Sequence, residues 1–213
     1  MSAMEPFGRF LNVVDVEATC WAGPPPPGQT SEIIEIGLCV VDLESLERVS
    51  RHRLLVRPAR SRVGDFCTGL TGLTQREVDG GVGFQEACDI LKRDHYARHR
   101  TWASWGDYDR RQFARQCASG GYPFGARHVN AKLRFSETYG LTRRLGMKAA
   151  LEHAGLPLEG RHHSGADDAW NIGALVLRMA RAQRGRPDDP WSPPRARHAE
   201  GGTAGAAPPS ESA

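Results

Sequence analysis

The stretch Leu11-Asn12-Val13-Val14-Asp15-Val16-Glu17 decides the reading of this chain: an apolar run that ends in two carboxylates one residue apart. Strand side chains alternate between faces, so Asp15 and Glu17 point the same way at the end of a strand over Phe10 to Asp15. Like charges this close raise each other's pKa or recruit a cation, and a divalent metal between them is the simplest relief. Taken alone, the pair is also what a solvated strand end looks like, so its meaning rests on the residues around it.

Working outward, Ala18-Thr19-Cys20-Trp21 and the prolines Pro24 to Pro27 form an extended surface loop, because prolines cannot donate ladder hydrogen bonds. Ile33 to Asp42 is apolar enough for a central strand, and Val49 to Val56 follows after a turn at 43–46, which gives an antiparallel meander. Helical spacing marks Phe84 to Asp94, Arg110 to Ser119, Met147 to Ala154 and Asp167 to Ala182, with short strands at Thr101 to Trp105 and His128 to Asn130. Strands first and helices alternating later imply a mixed sheet with helices packed on it. Residues 1–9 are expected to be an N-terminal extension, 10–184 one domain, and 185–213 a disordered tail rich in Pro, Gly, Ala and Arg.

The bulk composition sets limits. A chain of 213 residues with 39% hydrophobic content is sized for one full domain. No run approaches the roughly 18 apolar residues of a membrane span, and residues 1–9 hold no apolar signal core, so no membrane role and a cytoplasmic location are expected. A net charge of +3 permits a nucleic-acid partner without requiring one. Five widely spaced cysteines with no C-x-x-C pair argue against a disulfide framework or zinc site, and several are expected to be buried thiols.

Two further polar segments join the first. Trp105-Gly106-Asp107-Tyr108-Asp109 stands between a short strand and a helix, where an acid also serves as a cap. His162-His163-Ser164-Gly165-Ala166-Asp167-Asp168 leads into the last helix, with His163 before it and Asp168 in its first turn, so both can face one pocket. Asp15-x-Glu17, Tyr108-Asp109-x-x-x-Phe113 and His163-x-x-x-x-Asp168, in this order, resemble the three motifs of the DEDDh 3′-5′ exonucleases. Asp15 to Trp21, Phe66 to Thr74, Ser104 to Asp109 and His163 to Ile172 resemble its Eri-like and KapD-like branch, and the likeness spans about residues 10 to 180.

That resemblance implies an α/β, ribonuclease H-like fold: a five-stranded mixed sheet, three antiparallel strands then two more, with helices on both faces. It implies hydrolysis of phosphodiester bonds from the 3′ end of RNA or short single strands, releasing nucleoside 5′-monophosphates. Two magnesium ions, with manganese as a substitute, are the implied cofactors, since oxygen ligands suit both. Asp15 then bridges both metals, Glu17 and Asp168 hold the one carrying the attacking water, Asp109 serves the other, and His163 is the general base. Asp107 rivals Asp109, Asp167 rivals Asp168, and His162 rivals His163; the motif spacing favours the second of each pair. The terminal nucleotide is expected against Ala18, Thr19, Trp21, Thr68, Leu70, Thr71, Trp105 and His163, with Trp21 alternatively a loop anchor. RNA is favoured over DNA as partner and a monomer is the default; the alternatives are a DNA-directed or oligonucleotide-clearing relative, or a silent nucleic-acid-binding module.

Overall fold

The computed structural model describes residues 8–184. The expected tail at 185–213 lies outside the described residues, as does the N-terminal extension apart from Gly8 and Arg9. The meander is present as β1 (Phe10–Ala18), β2 (Ile33–Asp42) and β3 (Glu47–Arg57), antiparallel in register from Phe10↔Asp42 and Glu35↔Leu55. β5 (Thr101–Ser104) then runs parallel to β1, and β6 (His128–Asn130) parallel to β5. A two-residue strand, β4 (Val82–Gly83), joins the far edge beside β3, so the sheet has six strands in the order β4-β3-β2-β1-β5-β6. The expected five are its body, and the sixth is an edge addition too short to carry an alternating pattern.

Alternation along β1 sorts its side chains to two cores. Leu11 and Val13 pack with Cys39, Val41 and the helices α5 (Ala131–Thr138), α6 (Met147–Ala154) and α7 (Gly165–Gln183). Val14 and Val16 pack on the other face with Leu38, Trp102 and the helices α3 (Phe84–Asp94) and α4 (Tyr108–Gln116). Asp15 and Glu17 continue the odd-numbered row, so they point to the α7 side. Four of the five cysteines are buried.

Three helices escaped the reading of the sequence. α1 (Asp65–Thr71) and α2 (Gln75–Asp79) are short, and α2 is set by a capping box between Thr74 and Glu77. α5 starts at an Asn130 cap whose side chain accepts the Leu133 N–H at 2.9 Å, and its weak apolar periodicity hid it. α4 begins at Tyr108 and ends at Gln116, earlier at both ends than expected, because Gly106 turns the chain and Asp107 takes the cap position. No helix among the described residues is long and apolar enough to cross a membrane.

One contact sets where α7 enters. Gly37 lies opposite Asp15 in the β1–β2 ladder, and a Cβ there would fall on the carbonyl of Gly165, the first residue of α7. A Cβ on Gly165 would in turn meet the Asp15 carbonyl oxygen at 3.1 Å. Backbone therefore rests on backbone at the foot of the helix. Gly37→Ala is expected to cost about 3 kcal/mol, the upper range for overpacking, read as a lowered denaturation midpoint.

Candidate active site

The acids collect where β1 and β5 part. β5 pairs with β1 only as far as Val13, which leaves the Val16 N–H without a strand partner. Asp109, in the first turn of α4, accepts that N–H at 2.9 Å. The site therefore sits beyond strand ends at the point where the sheet order reverses, the usual place for ligands in open α/β sheets. α7 then brings Asp168 over the odd face of β1, and oxygens of Asp15, Glu17 and Asp168 lie within 4.8 Å of one another.

Burial makes this cluster costly. Glu17 is 8% exposed, and Asp109 and Asp168 are 4% each. Burial first, then repulsion from Asp168, Glu35 and Asp109, pushes the Glu17 carboxyl up to about 8. Burial, with Asp109, Asp168, Glu17 and Glu35, raises Asp15 well above the carboxylate range, and burial raises Asp109 to about 6. Asp168 is raised for the same reason, although His163 N–H and His162 offset part of it. Its Oδ1 is buried without a hydrogen-bond partner. Convergent oxygens, an orphan acceptor and repelling charges together fit a hard divalent cation.

A carboxyl with a higher pKa in the fold than in the unfolded chain favours folding at low pH and withdraws that favour as pH rises through its folded value. For Glu17 the window runs from its ordinary 4.5 to about 8. Chelator-treated protein is therefore expected to lose thermal stability from pH 5 to pH 8. Magnesium at about 100 times its Kd should restore roughly 5–10 °C at pH 8 and less at pH 6, where protons compete. Differential scanning fluorimetry checks both slopes.

The rival residues have different surroundings. Asp107 meets Arg110 at 3.3 Å and accepts from Asn130 Nδ2 at 3.0 Å, so it ties α4 to β6. Asp167 pairs with Arg51 and accepts the Arg161 N–H at 2.8 Å, away from the cluster. Asp167→Ala is expected to lose about 1 kcal/mol of stability but keep metal-dependent thermal stabilisation, which Asp168→Ala should lose. The two histidines stack, with ring centroids 4.0 Å apart. His162 Nδ1 lies 2.9 Å from Asp168 Oδ2, and His163 donates its backbone N–H to the same oxygen at 3.0 Å from a left-handed conformation, φ 64°. The His163 ring stands in no hydrogen bond among the described residues, and burial with the neighbouring His162 lowers its pKa.

Several residues expected at the nucleotide have other work. Thr19 is fully buried; its hydroxyl bonds Thr30 O at 3.2 Å and accepts Glu32 N–H at 2.9 Å, so the hydroxyl is committed within the fold. Ala18 is buried at a register shift in β1, with its carbonyl accepting from the Cys67 thiol at 3.7 Å. Thr68 and Thr71 direct their hydroxyls to Leu73 O and Cys67 O, closing the end of α1. Trp105 donates Nε1 to Leu145 O at 3.2 Å and packs edge-on against Phe135. Trp21 is partly exposed and lies outside the three apolar clusters, so it is not a core anchor. Leu70 remains 41% exposed, and Phe66, one turn earlier on α1 and not anticipated, is 49% exposed.

Glu35 was also missed. It is fully buried directly opposite Glu17, accepts Arg53 Nε at 3.1 Å and Ala166 N–H at 3.2 Å, and leaves Oε2 unpartnered. A charge between apolar neighbours in the interior of the ten-residue buried strand Ile33–Asp42, whose other acid is its last residue, was its visible signal, since a buried charge needs a partner.

Comparison with known proteins agrees with this geometry. Residues 13–176 match the family model RNase_T, described as exonuclease. The 3′-5′ exonuclease Snipper of Drosophila melanogaster is 31% identical over 203 residues, covering 84% of this chain and 72% of the relative. The 3′-5′ exoribonuclease 1 of Rattus norvegicus is 30% identical over 190 residues, and the match spans 84% of this chain but only 55% of that protein. The nuclease domain of 3′hExo, a DEDDh family member solved bound to rAMP, superposes with a TM-score of 0.73 at 28% identity, covering 82% of this chain and 93% of that one. With this sheet, these strand-end acids and this kinship, the chain belongs to the RNase_T exonuclease family, among relatives of the DEDDh type.

Proposed function

We propose that the chain is a divalent-metal-dependent 3′-5′ exoribonuclease that removes nucleoside 5′-monophosphates from the 3′ end of single-stranded RNA. The observation that carries this reading is the convergence of Asp15, Glu17 and Asp168 oxygens within 4.8 Å beside an unhydrogen-bonded His163 ring. Relatives named as exoribonucleases, and one solved with a ribonucleotide, favour RNA over DNA.

Asp15, Glu17 and Asp168 would hold magnesium, with Asp109 completing the charge at the strand end. Bound divalent ions supply an acidified water and relief of charge on the attacking and leaving oxygens. His163 takes the water's proton, because its ring nitrogens are uncommitted and a lowered pKa keeps the imidazole neutral at working pH. His162 positions Asp168 through the 2.9 Å contact. Leu70 and Phe66 offer an apolar platform for the terminal base, with Trp21 beside the loop.

The test is a 5′-labelled RNA incubated with magnesium, manganese or chelator, beside an equal DNA and an Asp15→Ala variant. Stepwise shortening from the 3′ end, metal-dependent and absent in the variant, is expected, with RNA cut faster. Internal fragments, or shortening that survives chelation, would overturn the proposal. Substrate binding without hydrolysis in either metal would instead support the silent module.

A further inference from the structure

Beside the acid cluster, on the α7 side of β3, lies a cleft of about 530 Å³ bordered by Arg51, Arg53, Gly72, Glu77, Arg161 and Asp167. Two of its arginines have carboxylate partners: Arg51 pairs with Asp167, and Arg53 gives its Nε to Glu35 at 3.1 Å. The Arg53 side chain is still 47% exposed, and its terminal nitrogens are in no hydrogen bond or ion pair among the described residues.

Arg161 differs from both. It is exposed and in no ion pair among the described residues, yet its backbone is fixed. Glu159 N–H bonds Asn171 Oδ1 at 2.9 Å, Arg161 N–H bonds Asp167 Oδ2 at 2.8 Å, and His162 bonds Asp168. Gly160, at φ +77°, sits where a Cβ would meet the Asp167 carboxylate at 2.5 Å. From this tied loop the guanidinium reaches across to the end of α1, where a Cβ on Gly72 would overlap it. Gly72 thus makes room for an arginine that feels Glu77 across the cleft but stands in no ion pair among the described residues.

Three arginines border the cleft, and Asp167, Glu77 and the buried Glu35 behind Arg53 balance them in number, yet the guanidinium ends of Arg161 and Arg53 stay in no hydrogen bond among the described residues. We propose that this cleft is a second phosphate subsite, in which Arg161 and the free end of Arg53 hold a phosphodiester of the substrate strand away from the scissile bond. This rests on the nucleic-acid reading above. A diester carries one negative charge and asks less of a cleft whose charges balance than the monoester of a released nucleotide, which carries nearly two at neutral pH. Guanidinium forks suit phosphate oxygens geometrically as well.

Two substrates separate the cleft from the catalytic acids: a ten-nucleotide RNA, and the p-nitrophenyl ester of uridine 5′-monophosphate, which has one phosphodiester and none beyond it. Arg161→Gln and Arg53→Gln are each expected to lower kcat/KM on the RNA, through KM, at least about tenfold more than on the ester. Fluorescence anisotropy of the same RNA in chelator should show the slope of log affinity against log salt reduced by about 0.7 per lost contact. Parallel losses on both substrates, or an unchanged salt slope, would overturn the subsite. So would a uridine 5′-monophosphate inhibition constant that rises as much as the RNA KM, since the cleft would then hold product. Should Arg53→Gln fail to fold with Glu35 left unpaired, Arg161→Gln decides, with Arg161→Lys expected to recover part of the slope. Wild-type protein that hydrolyses neither substrate would count against the exonuclease reading alone, and the salt slopes would still decide the cleft.

Discussion

Asp15→Asn is expected to abolish exonuclease activity, by about 10⁴-fold or more, while making the metal-free protein more stable at pH 8. The first effect follows from its place: Asp15 converges with Glu17 and Asp168 within 4.8 Å, and about 5 kcal/mol of lost charge stabilisation is roughly four decades in rate. The second follows from the same geometry with opposite sign. Asp109, Asp168, Glu17 and Glu35 all raise the Asp15 pKa, so its charge is a burden on the fold whenever no cation balances it. A neutral amide of equal size removes that repulsion and relieves Glu17 too. Thermal melts in chelator at pH 8, set beside single-turnover rates in magnesium, measure both. A variant that loses activity and also melts lower in chelator would mean that Asp15 serves folding instead of metal binding.

His163→Ala is expected to slow hydrolysis by about 10² to 10⁴-fold, the usual span for a general base, with KM little changed. Its effect on metal affinity should be small, because its ring makes no hydrogen bond to the acids. His162→Ala should show the reverse pattern. Its ring holds Asp168 Oδ2 at 2.9 Å, so its loss should weaken magnesium activation, and saturating metal should recover most of kcat. The rate of the wild type should rise with pH through the His163 pKa, which burial places below 6.5, and level off near neutrality. Retention of that acid limb in His163→Ala would move the base to His162.

The strands and the helix that build the site were legible because their patterns are strong. Ile33–Asp42 is predominantly apolar, Phe84–Asp94 repeats at helical spacing, and Gly155 stops Met147–Ala154, so all three have their expected bounds. The missed helices α1, α2 and α5 are seven, five and eight residues long, and caps define them more than periodicity does. Within the site, motif order indicated which acids to gather, but not what each neighbour does. Thr19 was expected at the ribose, through hydroxyl or backbone, because the family resemblance implies that the segment after D-x-E cradles the terminal nucleotide. Its burial against Thr30 and Glu32 depends on how the loop after Trp21 folds back, and no local pattern encodes that. Glu35 was legible in principle, as the one charge in the interior of β2, whose other acid, Asp42, closes the strand; the apolar majority around it hid it.

The contact between Gly37 and Gly165 has a consequence for which ion the cluster accepts. Asp168 rides on α7, and the foot of α7 rests on the sheet at that point through the Gly37–Gly165 main-chain contact and the Glu35 bond to Ala166 N–H, opposite the Asp15 position in the ladder. Side chains can rotate to widen a cage, but stacked main chain cannot. The separation between the Asp168 and Asp15 supports is therefore held by that close backbone approach. Magnesium, with ligands at about 2.0–2.1 Å, asks for such a rigid frame, and calcium, at about 2.3–2.6 Å, would have to lift the helix. On the proposed metal site, ionic radius would thus be discriminated by two residues that have no side chain and touch no ion, and thermal stabilisation by magnesium that exceeds that by calcium is the expected sign.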